Sequence, residues 1–177
     1  MLASLPALLV LAQVATATPA PGPVAIAVTE VVQTEGKSAD QLYSAALAWF
    51  PTAFKSGKAV LDVQDKAAGK LIGKAVERWE APALLARTPL SGAVSYLVTI
   101  DVKDGRYRYT VGPFVHEPKT PPGYGTVTDD QQAPVSGVAS SGSDKKNWTA
   151  LQKLSRETAA SLAESLRAAM AKPPDNW

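Results

Sequence analysis

Cysteine is absent from the 177 residues, which excludes disulfides, thiolate nucleophiles, iron–sulfur clusters, thiolate zinc sites and the lipidated cysteine of a lipoprotein. Histidine is almost absent: His116 is the only one, and a single imidazole cannot build a His-rich metal site or an imidazole pair within one chain. Charge of one sign is scarce too. The net charge is +2, from 18 basic and 16 acidic residues scattered along the chain, which is not the electrostatic footprint of a nucleic-acid binder. No Gly-rich phosphate loop is present: Gly73-Lys74 runs into Ala75, and Gly69 stands too close before it. No apolar run reaches the roughly 20 residues needed to span a bilayer.

What remains is ordinary for one globular domain, with 46% hydrophobic and 19% charged residues. A folded part of roughly 150 residues buries about two-thirds of its unfolded-chain surface, so a core can form without a metal or disulfide staple. The first charged side chain is Glu30, and the short apolar run Leu5–Ala17 ends in Ala15-Thr16-Ala17. Small residues at that spacing suit a signal peptidase, although the positive n-region reduces to the amino terminus itself. The expectation is a signal peptide over 1–17, a Pro-rich spacer over 18–23, a single domain over 24–172 and a tail over 173–177. An exported chain of this kind resides in the periplasm or outside the cell, with no membrane span after cleavage.

Val24–Thr34 is β-branched and apolar and reads as a first strand, stopped by Gly36. Ser38-Ala39-Asp40-Gln41 matches a capping box, so a helix begins there. Leu42, Ala46, Trp49 and Ala53, beside Tyr43, Leu47, Phe50 and Phe54, give it a broad apolar face. Pro51 lacks an amide proton and crowds the Leu47 carbonyl, which predicts a kink or restart before an end at Ser56-Gly57. Ala59–Val63 and Lys70–Trp79 form a hairpin around the turn Asp65–Gly69, with Gly73 marking a bulge or a close packing contact. Pro82 and Pro89 make Glu80–Gly92 a loop. In Ala93–Phe114, Tyr96, Val98, Ile100 and Val102 alternate with Ser95, Leu97, Thr99 and Asp101; Asp104-Gly105 predicts a type I′ turn. Tyr107, Tyr109 and Val111 then alternate with Arg106, Arg108 and Thr110, so one face is apolar and the other basic and polar. Glu117–Ser143, rich in Pro, Gly, Ser and Thr, reads as a mobile loop. Asp144–Ala171 returns to helical spacing, with Trp148, Leu151, Leu154, Thr158, Leu162, Leu166 and Met170 on one face.

The stretches SADQLYSAALAWF, DKAAGKLIGKA and YLVTIDVKDGRYRYT resemble an exported Bacteroidetes family, a domain of unknown function with a TATA-box-binding-protein-like fold. The resemblance covers about Val28–Phe114 and the last helix. It implies an α+β fold: a curved antiparallel sheet of about five strands, in the order β-α-β-β-β-β-α, with both helices on one face. It implies no activity and supplies no catalytic residues.

Each constellation that carries chemistry has a plainer reading. His116 beside Glu117 offers a base, but its place at a strand end reads as surface. Ser143 and Lys146 have the Ser-x-x-Lys spacing, yet Ser143 also suits an N-cap. Asp62 with Asp65, and Asp129 with Asp130, read as solvated turn residues because Asp bonds locally in turns. Arg106 and Arg108, joined by Lys70 and Lys74, make a candidate basic strip on the open sheet face. The reading is a non-catalytic binding or structural module of the cell envelope, without catalytic residues, metal ligands or a cofactor. Its partner is an envelope protein or small ligand, and nucleic acid is not expected. The alternative is a hydrolase whose carboxylates, Asp62 or Asp101 among them, converge only in the fold.

Overall fold

Period-two alternation builds the middle of the sheet. In β4 (Gly92–Lys103) Val94, Tyr96, Val98, Ile100 and Val102 are buried, and in β5 (Arg106–Pro118) so are Tyr107, Tyr109 and Val111. These pair as an antiparallel hairpin with Lys103 opposite Arg106. The computed structural model describes residues 22–54, 60–82 and 90–172. The expected signal peptide, residues 18–21 of the spacer, the Ser56-Gly57 helix stop, Pro89 and the tail over 173–177 lie outside the described residues.

Around that hairpin the order is β1 (Val28–Gln33), α1 (Ala39–Ala53), β2 (Val60–Asp65), β3 (Lys70–Trp79), β4, β5, β6 (Gly125–Thr126) and α2 (Ser141–Ala171). The strands form one antiparallel sheet in the order β1-β5-β4-β3-β2, with short β6 added to β5. The meander is as the sequence implies, and the fold is α+β; β6 is the one strand it did not reveal. Both helices cover the same face, where Leu42, Trp49, Phe50, Trp148, Leu151 and Leu166 pack on the Tyr and Val side of β4 and β5.

The hairpin turn departs from type I′. Only Gly105 has positive φ, at +72°, and Asp104 does not, which is the sign pattern of a type II turn. Contacts outside the hairpin account for this. The Asp104 carboxylate accepts from the Ala39 amide at 2.7 Å, at the start of α1. Gly105 N–H donates to the Lys37 carbonyl at 2.9 Å and its carbonyl accepts from Thr34 N–H at 2.8 Å. Turn and helix start are thus one hydrogen-bonded unit.

The capping box at Ser38 and Gln41 forms, a cap worth about 1 kcal/mol. Leu42, Tyr43, Ala46, Trp49 and Phe50 are buried, whereas Leu47 is exposed. Pro51 does not make the helix restart: α1 runs on to Ala53 and ends at Phe54. With so little helix left beyond it, the missing Pro51 amide costs a single bond, and Trp49, Phe50 and Phe54 form a ring cluster that holds the last turn. Gly73 is the close contact of the two alternatives. A Cβ there would stand 2.6 Å from the Phe50 ring, while the bulge lies across from it in β2, between Leu61 and Val63.

α2 begins three residues earlier than its spacing suggests. Ser140, not Ser143, is the N-cap, and its hydroxyl accepts from Ser143 N–H. The last turn of α2 has no base of its own; Lys37 supplies one, its ammonium donating to the carbonyls of Met170 and Lys172, where the helix dipole favours a cation. Trp49 Nε1 donates to Ser165 Oγ at 3.0 Å, tying α1 to α2. At the β1 edge, Arg167 and the Tyr109 hydroxyl both donate to Glu30. The Tyr109 bond, joined by Arg167, lowers the Glu30 pKa despite partial burial, and burial with the Glu30 bond raises Tyr109 to about 12.

Glu117–Ser143 is not the free loop its composition suggests. β6 pairs with β5, Lys119 N–H donates to the Ser91 carbonyl at 2.9 Å and Val127 N–H to the Phe114 carbonyl at 2.8 Å. Tyr124, Val127 and Ser136 are buried, and α2 reaches back: Trp148 Nε1 donates to the Asp130 carbonyl, and Gln152 Nε2 to those of Thr128 and Asp130, each at 2.7 Å.

Candidate functional site

Among the described residues no helix covers the other sheet face, here called the bare face, and strand register sets its side chains in rows. One row runs from Asp65 through Lys70 and Asp101 to Arg108 and Val31. Asp101 takes the Arg108 guanidinium at 2.8 and 3.2 Å and the Lys70 ammonium at 3.5 Å. Two of the candidate bases therefore meet through a carboxylate rather than standing as free cations. Arg106 lies in the row beyond, opposite Lys103 and Gln33. Lys74 lies on the other side of a row of Ile72, Thr99, Thr110 and Thr29, opposite Leu97. Neither Arg106 nor Lys74 has an ion-pair partner among the described residues. Thr29 and Thr110 bond across the strands at 3.0 Å, and Val31, Val63 and Leu97 are exposed.

Lys103 was missed by the sequence reading although the same alternation that places Asp101 outward places it there too. With it, Lys70, Lys74, Arg78, Lys103, Arg106 and Arg108 outnumber Asp65, Asp101 and Glu117, so the face is basic with an apolar and threonine strip between its charged rows.

His116 is a correction. It is 2% exposed, its Nε2 lies 2.9 Å from the Leu90 carbonyl and its Nδ1 accepts from Tyr124 N–H at 3.3 Å, and Trp79 and Tyr124 flank the ring. The cause is a bulge. Tyr96 pairs with Phe114 but Val98 with Val111, so β5 carries one extra residue at Gly112-Pro113. Gly112 has φ +110°, and a Cβ there would stand 2.8 Å from the Ile26 carbonyl oxygen. The extra residue shifts the alternation by one, which turns Phe114 and His116 toward the core.

Beside it Tyr124 Oη donates to Asp144 at 2.7 Å, Asn147 Nδ2 donates to Tyr124 Oη at 3.2 Å, and Ser136 N–H donates to Asp144 at 3.3 Å. Together with the Tyr124 N–H bond to His116, these join β5, the 117–140 segment and the start of α2. Burial lowers the His116 pKa, against the raising effects of the Leu90 carbonyl and Glu117. The unfolded chain therefore binds a proton, near the ordinary value of 6.5, before the folded one does, and stability falls as pH drops below that value. Urea midpoints from pH 7.5 down to 5 are expected to decline with this slope, and His116→Gln to flatten it; an equal slope in the variant would remove His116 as its source.

Ser143 bonds with Ser140. Asp65 and Asp130 serve turns as expected, accepting from Ala68 N–H and Gln132 N–H, whereas Asp129 accepts from Val24 N–H, 105 residues away, and ties the start of the described chain to this segment. Asp62 is exposed at the β2 bulge. The candidate carboxylates Asp62 and Asp101 do not share a site. Two unremarked ones, Glu77 and Glu157, line one cleft between β3 and α2. Among the described residues no group of three or more His, Asp or Glu side chains is placed to hold a metal ion, and no helix is long and apolar enough to cross a membrane.

Among the described residues, a six-stranded antiparallel sheet with two helices on one face defines an α+β class. The chain belongs to the family described as a domain of unknown function (DUF4468) with TBP-like fold, which matches residues 29–117. A crystal structure of a DUF4468 family protein from Bacteroides ovatus is similar at TM-score 0.54 and 18% identity, over 86% of this chain and 90% of that one, a likeness of fold. A TBP-like protein from Parabacteroides distasonis gives TM-score 0.49 and 15% identity, over 85% of this chain and 97% of that one. No curated protein matches the chain.

Proposed function

We propose that this chain is an exported, non-catalytic binding module of the cell envelope whose bare sheet face docks an acidic protein surface. The observation that carries the reading is that face: Lys74, Lys103 and Arg106 without ion-pair partners among the described residues, set around exposed Val31, Val63 and Leu97. Charge complementarity steers such an encounter and exposed apolar side chains contribute the buried area. The Leu5–Ala17 pattern supports export. The buried His116 and Asp144 support a non-catalytic role, because backbone amides and carbonyls and the Tyr124 hydroxyl occupy their polar atoms. A hydrolase finds its nearest footing at Glu77 and Glu157, but among the described residues the bonds of Glu77 go to the Tyr96 and Thr158 hydroxyls and bring no imidazole or cation to it.

The test is capture from envelope extract by the mature chain, with Arg106→Ala/Arg108→Ala as the control. Both side chains are exposed, so the double variant folds, and it is expected to lose the partner at least about tenfold. Equal capture by the double variant, or a cytoplasmic chain with Met1 intact, overturns the reading. Steeply salt-dependent binding of bare DNA by the wild type would replace the protein partner with nucleic acid.

A further inference from the structure

On the opposite, helix-covered face, a cleft of about 290 Å³ opens between the end of α1, strand β3 and the middle of α2. Its floor is Glu77, which alternation along β3 points to the helix side with Leu71, Gly73 and Ala75. The Glu77 carboxylate accepts from Tyr96 Oη at 2.7 Å and from Thr158 Oγ1 at 3.5 Å. Tyr96 is itself 3% exposed, so the carboxylate is fixed by a side chain that cannot swing away. Glu77 has no cationic partner among the described residues, and Glu157 on the rim reaches only Lys153, at 3.8 Å. Phe54 and Leu162 supply apolar walls.

A half-buried carboxylate held by two neutral hydroxyls keeps its charge uncompensated, and a cation brought to it in a confined site gains more than at an open surface. An anion would face two carboxylates, and a neutral apolar molecule would strip water from Glu77 without replacing it. We propose that this cleft binds an organic cation the size of a basic amino-acid side chain, with its ammonium or guanidinium on Glu77 and its alkyl part against Phe54 and Leu162. The site is separate from the bare sheet face, so either assignment stands or falls without the other.

The probe is agmatine, titrated into the full mature chain and followed by amide and side-chain NMR shifts, with pentanoate and pentanol as the anionic and neutral counterparts. A capped arginine peptide separates a free small molecule from a side chain of a partner as the source. Agmatine or the peptide is expected to saturate with shifts centred on Tyr96 and Thr158, and the counterparts to leave them unmoved. Glu77→Gln, isosteric and still able to accept from Tyr96, is expected to weaken the cation about tenfold, and rim Glu157→Gln about threefold. Glu80→Gln, outside the cleft, is expected to change nothing. Glu157→Gln keeps the test decisive if Glu77→Gln unfolds. Absence of saturable shifts with either cation up to about 20 mM, equal binding of pentanoate, or equal affinity in both cleft variants overturns the proposal.

Discussion

Trp148→Ala is expected to lower the unfolding free energy by about 3–5 kcal/mol, the range for removing a fully buried aromatic side chain. Trp148 is 1% exposed, its ring lies 6.0 Å from that of Tyr124, and its indole N–H donates to the Asp130 carbonyl. It therefore fills the core beneath α2 and fastens the 117–140 segment at once. Trp148→Phe keeps most of the ring, and the Asp130 carbonyl keeps the Gln152 donor at 2.7 Å, so the loss should be about 1–2 kcal/mol. Urea unfolding measures both. Chymotrypsin supplies the second readout: cleavage after Tyr124 should rise sharply in the alanine variant below its unfolding midpoint. An alanine variant within about 1 kcal/mol of wild type would show that this tryptophan does not organise the segment.

Asp144→Ala should cost about 2–6 kcal/mol, because it strands two buried donors at about 1–3 kcal/mol each. The Tyr124 hydroxyl and the Ser136 amide both end on Asp144, and all three residues are buried. Burial, followed by the Asp144 bond, also holds the Tyr124 phenol well above its ordinary pKa. Asp144→Asn separates hydrogen bonding from cavity effects: it keeps the shape and one acceptor but turns an amide N–H₂ toward one donor, so about half the loss is expected. If alanine and asparagine cost the same, or if neither exceeds about 0.5 kcal/mol, the network does not hold the segment down.

Periodicity made the sheet legible. Strict alternation from Tyr96 to Val102 and from Tyr107 to Val111 was enough to name the core face, and the Ser38–Gln41 spacing was enough to start α1. Three of the misses share one physical cause, which is that they depend on contacts distant in sequence. His116 is buried because a single extra residue at Gly112-Pro113 reverses the phase of β5; a Gly-Pro pair inside a strand hints at a bulge, but the reversal itself is fixed by the register with β4. Asp104 keeps negative φ because the α1 start claims its carboxylate. The 117–140 segment looks like a loop by composition, but its order comes from Trp148 and Gln152, which lie up to 24 residues from the carbonyls they hold. On the bare face, alternation placed Arg106, Arg108, Lys70 and Lys74 together. It could not show that Asp101 bridges Lys70 to Arg108, since that needs the register between β3, β4 and β5.

The most direct measurement of the bare face as a docking surface is a photo-crosslinking amino acid placed at Leu97, which is 40% exposed beside Lys74, and compared with the same group at Glu164, exposed on α2 away from both the sheet face and the cleft. In cells the Leu97 position should yield one discrete envelope-protein adduct, lost on Arg106→Ala/Arg108→Ala, and the Glu164 position none. Adducts at Glu164 alone, or no adduct from Leu97, would contradict the assignment of the sheet face as the docking surface.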